Sequence, residues 1–136
     1  VYEGDHGRSE VREWAIVVEA AKPDLANAYR RLHWRTRAAR DATWRAMGHV
    51  LTLAARAAPA EGPVTITVRQ ECRRGVLPDP GATFPTVKAL VDGMVDAGAL
   101  AGDTSEHIAA ITWLAPVRGD RDRLVLTVRA HEEEGT

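Results

Sequence analysis

DPGATFPTVKALVDGMVDAGALAGDTSEHI, residues 79–108, opens and closes in acidic, glycine-bearing loops and carries one amphipathic helix between them. Thr83 suits the N-cap, Pro85 the first helical turn, and Gly98 a left-handed stop. Phe84, Val87, Leu90, Val91 and Met94 recur at helical spacing and predict a core stripe, while Lys88, Asp92 and Asp96 share a second face. The flanking runs have period two instead. Val64, Ile66 and Val68 alternate with Thr65, Thr67 and Arg69; Ile108, Ala110, Thr112 and Leu114 alternate with His107, Ala109, Ile111 and Trp113. Strand, helix, strand is the centre of the chain, which sets an α/β (α+β) class.

Working outward, Trp14, Ile16 and Val18 alternate with Ala15, Val17 and Glu19 and predict a first strand. Residues 20–34, AAKPDLANAYRRLHW, contain Pro23, Asp24 and Asn27 and are expected to form a long irregular connection. From about Arg35 to Ala58 the chain is rich in Ala, Arg and Leu and free of Pro, which predicts a helix, with Ala39, Ala42, Ala46, Val50, Leu53 and Ala57 as a small-residue packing stripe. LVLTVRA from Leu124 is expected to pair with the strand that starts at Ile108, joined to it through a hairpin at VRGDRD. The expectation is one domain over residues 13–131, a mixed sheet of about four strands with two main helices. Residues 1–12 are expected to be a flexible leader and 132–136 an acidic tail.

The 136 residues carry 18 basic and 19 acidic side chains, a net charge of −1, so any affinity for nucleic acid must come from local clustering of charge. Such clustering is present: Arg30, Arg31, Arg35, Arg37, Arg40 and Arg45 fall in a stretch whose one acid is Asp41, with Tyr29, His33, Trp34 and Trp44 interleaved. Arginine grips phosphate in a fork and aromatic rings stack on unpaired bases. A solvated helix face with a Trp anchored in the core explains the same pattern without DNA. Cys72 is the sole cysteine, which excludes an intrachain disulfide and fits a reducing cytoplasm. No apolar run approaches the roughly 20 residues that span a bilayer. His33, His49 and His107 lack close ligand spacing, and Cys72 has no neighbouring base, so neither suggests a metal or nucleophile site.

The block from Asp79 resembles the signature of the RusA family of Holliday junction resolvases, the crossover junction endodeoxyribonucleases, in their phage and actinobacterial form. The resemblance rests on an acidic loop, KALVDGMVDAGAL from Lys88, and DTSEHI from Asp103, and extends to LANAYRRLHWRTR from Leu25. It implies a cytoplasmic, homodimeric, Mg²⁺-dependent endonuclease that nicks four-way DNA junctions in recombination and repair. Asp79, Lys88 and Asp103 match the catalytic positions; Asp79, Asp103 and the helix carboxylate Asp92 are the implied metal ligands, although an i,i+4 salt bridge with Lys88 explains Asp92 without a catalytic role and is the favoured reading of that residue. Arg30, Arg31, Trp34, Arg35, Arg37, Arg40, Arg73 and Arg74 are the expected DNA contacts. Gly81, Ala82 and Gly102 stand where the family motif has Asp, Asn and Asp. Those three departures keep a second reading open, a catalytically impaired junction-binding relative, beside a plain α/β binding protein whose acidic loops only cap helices.

Overall fold

The computed structural model describes residues 13–19 and 22–132, so the expected leader, and all of the acidic tail but Glu132, lie outside the described residues. The order is β1 (Glu13–Glu19), α1 (Ala26–Arg30), α2 (Trp34–Ala54), β2 (Val64–Cys72), α3 (Phe84–Asp96), β3 (Ile108–Trp113), β4 (Val117–Arg118) and β5 (Arg123–Ala130). The strands form one mixed sheet in the order β1-β5-β2-β3, and β4 pairs with the far end of β2.

The expected hairpin between β3 and β5 does not form. The crossover through α3 returns the chain so that β3 lies parallel to β2, with Val64 opposite Ile108 and Val68 opposite Trp113. Val117 and Arg118, read as turn residues, instead add two parallel pairs to Glu71 and Cys72. β5 then inserts antiparallel between β1 and β2. A central strand needs a fully apolar face, and β5 supplies one: Leu124, Leu126 and Val128 are buried against Ile16, Val18, Ile66 and Val68.

Helix α3 covers that face with Val87, Leu90, Val91 and Met94, all within 3% of full burial. Burial of each large side chain contributes roughly 1.5–3 kcal/mol. Phe84, expected in the same stripe, is 51% exposed, because the first turn of α3 overhangs the sheet edge, where its ring leans on Trp113. Thr83 occupies the N-cap position without a side-chain cap bond. At the other end Gly98 takes φ +85°, and the Ala99 N–H returns to the Met94 carbonyl at 3.1 Å, closing the helix as its sequence predicts.

Helix α2 lies across α3, but not on the expected stripe. Ala39, Ala42, Ala46, Val50 and Leu53 face solvent. The packed side carries Trp44, Gly48, Leu51 and Thr52. Two glycines decide this choice of face. A Cβ on Gly48 would overlap the Leu90 backbone, and one on Gly93 would overlap the Arg45 carbonyl, so the helices cross where both lack side chains.

The connection from residue 22 to 33 is more ordered than expected. It contains α1 and is tied to the loop before α3 by the Ala26 N–H, which donates to the Ala82 carbonyl at 2.9 Å.

Candidate functional site

Lys88 lies on the second turn of α3, on the side that the core stripe leaves free. Its Nζ donates to Asp103 Oδ2 at 2.9 Å and to Asp92 Oδ1 at 3.2 Å. The Asp92 contact follows from i,i+4 helix geometry. The Asp103 contact requires the loop after α3 to fold back along the helix. Asp103 holds the Lys88 ammonium above its ordinary pKa, with Asp92 adding to the effect, and Lys88 holds the Asp103 carboxyl below the usual carboxylate range.

Two openings meet at this residue. A cleft of about 590 Å³ between α1, α2 and α3 is lined by Tyr29, Arg30, Arg37, Arg45, Lys88 and Asp92 among others. A groove of about 340 Å³ between α3 and β3 has Phe84, Lys88, Asp103 and Ser105 on its walls. Lys88 and Phe84 form the ridge between them.

Asp79 sits exposed in the loop before α3. Its carbonyl accepts from the Ala82 N–H at 3.1 Å, and its carboxylate makes no hydrogen bond or ion pair among the described residues. The structure thus brings Asp92 and Asp103 around one cation and leaves Asp79 apart from that contact. No group of three or more His, Cys, Asp or Glu side chains able to hold a metal occurs among the described residues. Mg²⁺ takes one or two protein carboxylates and completes its shell with water and phosphate, whereas here the Lys88 ammonium occupies the point on which Asp92 and Asp103 converge.

The motif departures are built into the loops. Gly81 takes φ +84°, a conformation that residues with a Cβ rarely adopt. A Cβ at Gly102 would come within 2.8 Å of the His107 ring.

The arginine cluster divides into structural and free members. Arg40 donates to Asp24 at 2.6 Å, and Arg45 grips Asp96 through two bonds of 2.6 and 2.8 Å, which lowers the Asp96 pKa. Arg30 is held by the Asn27 amide oxygen, while Arg35 and Arg37 lie over the rings of Trp34 and Tyr29. Among the described residues, Arg31, Arg35, Arg37, Arg73 and Arg74 have no ion pair. Trp34 is 60% exposed, with its ring stacked on His33 and Arg35 lying over it. The Tyr29 hydroxyl donates to Asp41 at 2.7 Å, a bond that also raises its pKa.

Sequence reasoning missed Asp24, which looked like a turn residue after Pro23. It is 8% exposed; its carboxylate also accepts from Trp44 Nε1 at 3.1 Å, and its N–H donates to Thr86 Oγ1 at 2.7 Å. One buried residue therefore ties the connection to α2 through its carboxylate and to α3 through its backbone N–H. No periodic signal marks a lone acid in a loop. Cys72 is buried, and burial pushes its thiol pKa up. No helix among the described residues is long and apolar enough to cross a membrane. No family model and no curated protein matches the chain.

Proposed function

We propose that the protein is a RusA-like, Mg²⁺-dependent endonuclease acting on four-way DNA junctions. The observation that carries this reading is the convergence of Asp92 and Asp103 on Lys88 at the lip of an arginine-lined cleft. Asp92 and Asp103 would hold the metal, with Asp79 the further carboxylate that the resemblance assigns. When bound, Mg²⁺ lowers the pKa of a water and offsets phosphate charge. Lys88, released from its two carboxylates, donates to the anionic phosphate oxygen of the attacked strand. Arg37 and Arg30 bind the flanking backbone in the cleft; Arg31, Arg35, Arg73 and Arg74 extend that contact, and Trp34 stacks on an unpaired base.

The implied homodimer is supported by the outward side of α2, where Met47, Val50 and Leu53 are 36%, 63% and 57% exposed along one face. Sedimentation at the mass of two chains, falling to one in Val50→Glu, is the expected result.

The second reading, a junction-binding relative without cleavage, is favoured by one observation: Gly81 has a backbone suited to glycine, so the loop is adapted to lacking the motif carboxylate. A nicking assay separates the two. A labelled four-way junction and a linear duplex are incubated with wild type and Asp103→Asn, in Mg²⁺ and in EDTA. Cleavage that needs Mg²⁺, prefers the junction and disappears in Asp103→Asn establishes the endonuclease. Junction binding without cleavage establishes the second reading.

A further inference from the structure

Val76 is 95% exposed, more than any other large apolar side chain described, and it sits in a loop that is anything but loose at its base. Arg118 donates from Nη2 to the Gly75 carbonyl at 2.5 Å and from Nη1 to the Cys72 carbonyl at 3.5 Å. The Asp122 carboxylate accepts from the Arg73 N–H at 2.9 Å and pairs with Lys22 at 3.1 Å. β4 closes the same corner by pairing with Glu71 and Cys72. Beyond these anchors Gly75 turns the chain at φ +85°, and Pro78 and Pro80 fix the backbone torsions of the descending arm. The result is a braced tip that ends in bare Val76 with Leu77 beside it, 37% exposed. Arg73 and Arg74 precede Val76 in the chain, with no ion pair among the described residues.

An apolar point next to two arginines without an ion pair is poorly explained by stability. None of the described residues covers it, and its exposure forgoes the gain from burying a valine. It is suited to a polyanion with an apolar interior. We propose that the 73–77 tip is a wedge for DNA: Arg73 and Arg74 hold phosphates next to it while Val76 enters between bases. This rests on the junction-binding reading above and adds the element that selects the substrate. Opening a stacked duplex step costs a few kcal/mol, whereas the crossover of a four-way junction has interrupted stacking and admits an apolar side chain more readily. The wedge therefore favours junction over duplex, a preference that phosphate contacts alone do not supply. Val76 precedes Asp79 by three residues, so the wedge enters at most about 11 Å from that backbone position. Such a distance couples recognition of the crossover to the strand next to it.

The test places 2-aminopurine at the centre of a four-way junction, with a duplex of the same arms as control, in EDTA so that no strand is cut. Wild type is expected to bind the junction and to raise its fluorescence as the central bases unstack, with little change in the duplex. Val76→Ser, an exposed substitution that leaves the fold intact, is expected to abolish the rise and to weaken junction binding on the order of tenfold, with duplex binding unchanged. Val76→Leu should retain both. Junction binding with no fluorescence rise in wild type, or a Val76→Ser protein that matches wild type, overturns the wedge while leaving junction binding standing. Wild type that binds neither DNA overturns both.

Discussion

At Lys88 one ammonium faces two carboxylates, so the trio keeps a net charge of about −1 and neither acid is fully offset. Asp103 titrates below its ordinary 3.8 because Lys88 donates to it, and Lys88 titrates above 10.5 because Asp103 and then Asp92 accept from it. The stabilisation from the lowered carboxyl is present above 3.8 and is lost as pH falls through the lowered value. That from the raised ammonium is present below 10.5 and is lost as pH rises through the raised value. Lys88→Met should raise the Asp103 pKa from its wild-type value, because the hydrogen bond and charge of Lys88 are the largest causes of its lowering, while the smaller lowering by its backbone and Asp92 hydrogen bonds remains. A carbon-13 NMR titration of the aspartates reads this directly, and an Asp103 midpoint equal to that of wild type would rule the contact out in solution. Both groups are substantially exposed, so screening keeps the effect on global stability small and makes the melting temperature a poor readout. The Lys88–Asp92 contact is legible in the sequence because four residues make one helical turn. Asp103 is 15 residues from Lys88, and no local rule says that the loop folds back.

Among the elements, the α2–α3 crossing is the most sharply determined. Exchanging Gly for Ala inside a helix ordinarily gains up to about 1 kcal/mol. At Gly93 the added Cβ would overlap the Arg45 carbonyl and lie 2.6 Å from the His49 nitrogen, and backbone atoms of a packed helix do not step aside cheaply. Overpacking of this kind costs roughly 1–3 kcal/mol or more, so the clash outweighs the propensity. Gly93→Ala is therefore expected to lower the urea midpoint clearly, whereas Gly62→Ala, with nothing within 4 Å of its Cβ, should leave it nearly unchanged. Equal midpoints for the two variants would contradict the crossing. The strands β1, β2 and β5 and the stripe of α3 are readable from apolar periodicity because each buries one side against the same core, whereas in β3 the ladder shifts register near its start, so that Ile108 and then Ile111 and Trp113 reach the core and the expected alternation is broken. α2 is not readable in this way, because its alanines recur on a solvent face while its packed face is marked by one Trp, one Gly, one Leu and one Thr. The pairing of β3 and β5 is equally hidden, since alternation shows that a segment is a strand and says nothing of its neighbour.

For the whole molecule, a net charge of −1 means that any attraction to DNA, as proposed, depends on the separation of paired from unpaired cations. Arg45 belongs to the first kind, committed to Asp96 by two short bonds that join α2 to α3. Arg35 and Arg37 belong to the second, near the start of α2, held only against aromatic rings. Each cation that neutralises a phosphate releases condensed counterions, so the slope of log affinity against log salt falls by about 0.9 per lost contact. Arg35→Ala and Arg37→Ala should each shallow that slope by about this amount for a labelled four-way junction, measured by fluorescence anisotropy across a salt series. Arg45→Ala should leave the slope unchanged and act instead on stability, because removing it strips Asp96 of its partner and unties the two helices. A slope that drops as much for Arg45→Ala as for Arg37→Ala would mean that the ion pair opens to meet DNA. The division between structural and recognising arginines would then be wrong. A slope that none of the three changes would place the phosphate contacts elsewhere, with Arg73 and Arg74 the next to substitute.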